Sequence, residues 1–75
     1  MRLHLYWRDK NWRFKSSVAR NYNLIVDTDK KIYKSYMSPY YDYRAPEGIE
    51  IVKRSDIFCY IEYIKELGFR ESEQI

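Results

Sequence analysis

The chain has 75 residues, a formal net charge of +3 and an aromatic share of 19%, made up of nine Tyr, two Trp and three Phe. That length suits one domain, and the aromatic load argues for a folded chain rather than a disordered one. One His, one Cys and two Gly argue against a structural zinc site and exclude both an intramolecular disulfide and a phosphate-cradling glycine loop.

The first expected element covers residues 2–8, where Leu3, Leu5 and Trp7 alternate with Arg2, His4, Tyr6 and Arg8. A period of two marks a half-buried strand. Asp9, Lys10 and Asn11 break it with turn chemistry, and Trp12 and Phe14 then alternate with Arg13 and Lys15. The reading is a short hairpin, with residues 16–21 open to continuation, a bulge or a helical turn. Residues 22–27 and 32–37 are β-rich and flank Thr28 to Lys31, which gives a second hairpin. Residues 38–48 carry both prolines and one glycine and read as a loop; residues 49–53 form a short strand.

A helix is expected from about Asp56 to Leu67. Ser55 is its N-cap, Asp56 complements the positive end of the dipole, and Gly68 with Phe69 closes it in a Schellman motif. Ile57, Tyr60, Ile61, Ile64 and Leu67 share its core stripe. The predicted fold is α+β: a small antiparallel sheet of four to five strands, two hairpins plus a short strand, packed against one C-terminal helix. It spans residues 1–70, with 71–75 a frayed tail.

No stretch reaches the roughly 18 apolar residues of a membrane span, and the first five residues do not resemble a signal peptide. With a lone Cys59, this places the chain in a reducing, cytoplasmic setting. Charge is unevenly spread. Residues 1–46 hold ten Lys/Arg and four Asp/Glu, a balance of +6, and residues 47–75 hold four and seven, a balance of −3. Such asymmetry suits two faces with different partners, or attraction between layers.

Catalysis is not expected. Cys59 and His4 are the one conceivable nucleophile and base, without supporting spacing or an orienting third group. A small apolar filler and a surface strand residue describe them better. Neither a cofactor, a metal nor a small-molecule substrate is indicated.

Two surfaces could bind a macromolecule. The first combines Tyr40, Tyr41, Tyr43 and Arg44 of the loop with Phe58 and Tyr63 of the helix, which with Cys59 make the helix apolar over more than one face. It would dock a protein partner or a second copy of the chain, unless the sheet curls round the helix and hides these rings. The alternative is the sheet face of Arg2, His4, Tyr6, Arg8, Arg13, Lys15, Lys34 and Tyr36. Bases mixed with rings on a sheet suit single-stranded nucleic acid. Such a mixture is also the ordinary state of a solvated antiparallel face.

Overall fold

A computed structural model describes residues 1–9, 20–39 and 48–75. Within them run β1 (Arg2–Trp7), β2 (Arg20–Asp27), β3 (Ile32–Pro39), β4 (Ile49–Glu50), α1 (Arg54–Glu66) and β5 (Arg70–Glu71). The strands form one sheet in the order β4-β1-β2-β3-β5, with α1 on one face. The α+β class follows the sequence pattern, but the sheet is mixed rather than purely antiparallel. β1 and β3 flank β2 antiparallel, while the short outer strands β4 and β5 add in parallel.

The β2–β3 hairpin forms where the β-rich runs predict it. Its register pairs Asp27 with Ile32, leaving residues 28–31 as the connection. The Asp27 side chain closes this turn, its Oδ1 accepting the amides of Asp29 at 3.0 Å and Lys30 at 3.1 Å. Lys31 takes the left-handed conformation, φ 56°, which lets the return strand keep the sheet's twist.

Alternation in β1 translates directly into packing. Leu5 is buried and Leu3 and Trp7 are partly buried, facing Leu24, Val26 and Tyr22 across the strand pair. With Tyr33 of β3 and Ile57 and Ile64 of α1 these residues make the core, supported by Ile51, Tyr60, Ile61 and Phe69. Among the described residues, β1 has β2 and β4 as its neighbours. Segment 12–15, the expected hairpin partner of β1, lies outside the described residues, as do 16–19.

The helix starts two residues earlier than its sequence suggests. Its N-cap is Lys53, in extended conformation and without a side-chain cap hydrogen bond, so Ser55 sits inside the first turn. The cause is upstream. The Ile51 amide donates to the Tyr6 carbonyl at 2.7 Å, extending the parallel β1–β4 pairing and fixing where the chain leaves the sheet. At the other end the Schellman motif is complete: Phe69 N–H bonds Ile64 O and Gly68 N–H bonds Lys65 O, each at 3.0 Å. Gly68 has φ 94°, and a Cβ there would meet nothing within 4 Å, so conformation alone demands glycine.

The start of the tail expected to fray instead joins the sheet, through Glu71 in β5 and the Ser72 amide. The Arg70 amide donates to Lys31 O at 3.0 Å and the Ser72 amide to Tyr33 O at 2.8 Å, while Lys34 Nζ pairs with Glu73 at 3.2 Å. The Schellman turn aims the chain back along β3, so a two-residue strand forms where only a tail was expected.

Candidate functional site

Two apolar surfaces meet at α1. On the solvent side of the helix, Phe58, Cys59, Glu62, Tyr63 and Glu66 line one open depression. Helical spacing puts these five residues on the arc opposite Ile57 and Ile64, which face the sheet. Phe58 remains 42% exposed and Tyr63 56%. Neither ring is loose. Phe58 meets Tyr22 edge-on at 5.4 Å between centroids, and Tyr63 tilts against Tyr60 at 6.2 Å. The two readings of Phe58 therefore divide: one edge belongs to the intramolecular cluster and the rest faces outward.

Arg54 anchors that cluster. Its guanidinium lies 4.4 Å from the Tyr22 centroid and 5.6 Å from that of Phe58, and Nη2 donates to the Tyr22 hydroxyl at 2.7 Å. Trp7 continues the row against Tyr22 at 6.1 Å. Tyr40, Tyr41, Tyr43 and Arg44, assigned by sequence to the same surface, lie outside the described residues.

The second surface was not foreseen. Tyr22, Ser35, Met37, Ile57, Phe58 and Ile61 line a groove between α1 and the outer part of β3. Its sequence signal was faint: Ser35 and Met37 share the helix-facing side of β3 with Tyr33, and neither fills the core.

The sheet face away from α1 collects the residues assigned to it. Arg2, His4, Tyr6 and Arg8 alternate away from the core, and Lys34 and Tyr36 fall on the same side of β3. Arg13 and Lys15 lie outside the described residues. The centre of this face is closed, with Asn21 and Asn23 only 4% and 6% exposed and Ser38 also buried. Asn23 ties the face together, its Oδ1 bonding His4 Nε2 at 2.9 Å and its Nδ2 donating to Ser38 Oγ at 3.0 Å. Asn21 Oδ1 accepts the Asp9 amide at 3.3 Å. Tyr6 is also engaged: a Cβ on Gly48 would come within 2.7 Å of its ring, and the Arg8 guanidinium lies 5.2 Å from its centroid. Gly48 and Arg8 thus occupy part of the surroundings of that ring, which is half-buried. The buried Asn pair at i, i+2 in β2 is a signal that the strand's β-rich pattern concealed.

His4 and Cys59 lie on opposite sides of the molecule, one on the far sheet face and one on the outer side of the helix. They cannot cooperate. Among the described residues no group of three His, Cys, Asp or Glu is placed to hold a metal ion, and no helix is long and apolar enough to cross a membrane. No protein-family model matches the chain, and no curated protein or solved structure matches it.

Proposed function

We propose that this chain is a non-enzymatic interaction protein that presents the outer side of α1 to a protein partner in a reducing compartment. One observation carries the reading: two large rings, Phe58 and Tyr63, stay substantially exposed in a single depression. Both are held by aromatic neighbours, so their ordering cost is largely met before binding, as in the rigid aromatic anchors of interfaces. Glu62 and Glu66 edge the same depression and favour a partner surface carrying Lys or Arg.

Capture from the native host by wild type and by Tyr63→Ala tests this. The expected result is retention by wild type and loss in the variant, with melting temperatures that agree within a few degrees, because Tyr63 lies outside the core. Retention by both proteins would defeat the proposal.

The nucleic-acid alternative has the gathering of Arg2, His4, Lys34 and Tyr36 on one face in its favour. The sealed centre and the half-buried Tyr6 weigh against it. If that alternative held, oligonucleotide binding at low salt would weaken steeply as salt rises, and charge reversal at Arg8 would abolish it.

A further inference from the structure

We infer that the outer edge of β3 pairs with the same edge of a second copy, about a two-fold axis at Tyr36. β5 uses this edge only at its start, where the carbonyls of Lys31 and Tyr33 accept the amides of Arg70 and Ser72. Backbone groups alternate along a strand, so the next outward-pointing residues are Ser35 and Met37. No described strand pairs with them on that side, and Ser35, Tyr36 and Met37 are all exposed. Monomers usually blunt such an edge with charge, proline or a bulge. Lys34 and Pro39 bracket this edge, but residues 35–38 between them carry neither charge nor proline.

The available backbone selects the register. Tyr33 is already engaged by Ser72, and Pro39 has no amide to give. A two-fold axis on Ser35 would require Tyr33, and one on Met37 would require Pro39. An axis on Tyr36 uses Ser35 and Met37 alone: each pairs with the other's symmetry mate, making four N–H···O bonds, and Tyr36 faces its own copy in a non-hydrogen-bonded pair.

The side chains agree with a copy of this chain as the occupant. Met37, 58% exposed, would lie opposite the partner's small Ser35, where the groove of Tyr22, Ile57, Phe58 and Ile61 opens. The projecting side chain and the space to receive it are thus on one edge. Like charges do not meet, because Lys34 would face Ser38 of the copy and is already paired with Glu73. This inference stands on β3 and does not depend on the outer side of α1.

Sedimentation equilibrium of the full chain over a wide concentration range tests it. The expected result is a reversible monomer–dimer equilibrium. A single 9.3 kDa species at every concentration would overturn the inference and leave the edge to a foreign strand or to none. Met37→Pro removes an outward amide while leaving the ladder to β2 intact, and should weaken association about 30-fold through two lost bonds per dimer. A dimer that Met37→Pro leaves unchanged would also overturn it. In a Cys59→Ser background, Tyr36→Cys should oxidise to a covalent dimer and Ser35→Cys should not, since only the axial residue meets itself at disulfide distance. Equal cross-linking at both positions would refute the register.

Discussion

Asp27 closes the β2–β3 turn with its carboxylate, and this makes the hairpin sensitive to acid. The Lys30 amide is the chief cause that holds its pKa below the ordinary carboxylate value. Partial desolvation opposes it, and the Asp29 amide and the charges of Met1 and Lys30 reinforce it. A carboxyl whose pKa is lower folded than unfolded stabilises the fold above its unfolded value, about pH 4, and loses that contribution as pH falls through the folded one. Asp27→Asn keeps an acceptor but not the charge. Wild type should therefore melt higher than Asp27→Asn at pH 7, with the gap closing below about pH 4 in thermal scans by circular dichroism. A constant gap across that range would show that the turn does not depend on the carboxylate charge. The turn's position was legible because Thr28 to Lys31 interrupt two β-rich runs. The left-handed residue was not, because Lys31 has no side-chain preference for that conformation.

At the scale of elements, the two ends of α1 show what local sequence can and cannot decide. Its C-terminus was legible because a Schellman turn is local: Gly68 supplies the conformation and Phe69 the apolar contact, and both act as expected. Its N-terminus was not, because a bond between Ile51 and Tyr6 sets the exit point from the sheet, 45 residues away in sequence. Ser55 offers a good cap, but the chain is already helical when it reaches it. Lys53→Ser should then supply the missing acceptor, with Asp56 three residues on, and stabilise the fold by about 1 kcal/mol. Ser55→Ala should cost little. Denaturant midpoints for the two variants decide the matter, since a cap at Ser55 would reverse both results. β4 was legible as the start of the short strand expected over 49–53, but β5 was not, because two residues are too few to show a period; the parallel pairing of both strands was hidden because their partners are distant in sequence.

At the scale of the fold, part of the sequence's charge asymmetry among the described residues separates between faces. Glu62 and Glu66 lie on the outer side of α1, and Arg2, Arg8 and Lys34 on the far side of the sheet. The candidate site was legible to that extent: Phe58 and Tyr63 followed from helical spacing alone. The groove beside β3 needed the topology, because β5 stops after two residues and no other described strand pairs with the rest of that edge. β5 thus has two roles. It ties the end of the chain to β3 through the Arg70 and Ser72 amides, and it shields Lys31 and Tyr33 from other strands. Deleting residues 70–75 removes both bonds, at about 1 kcal/mol each, and should lower the melting temperature by roughly 10 °C. It also lengthens the open edge from two outward residues to four, an invitation to edge-to-edge pairing. The truncated chain should therefore dimerise more tightly, visible as a lower midpoint concentration in sedimentation equilibrium, and Met37→Pro in the same background should raise that midpoint. If truncation lowered stability without changing association, β5 would act as a tie alone and the β3 edge would not be a pairing surface.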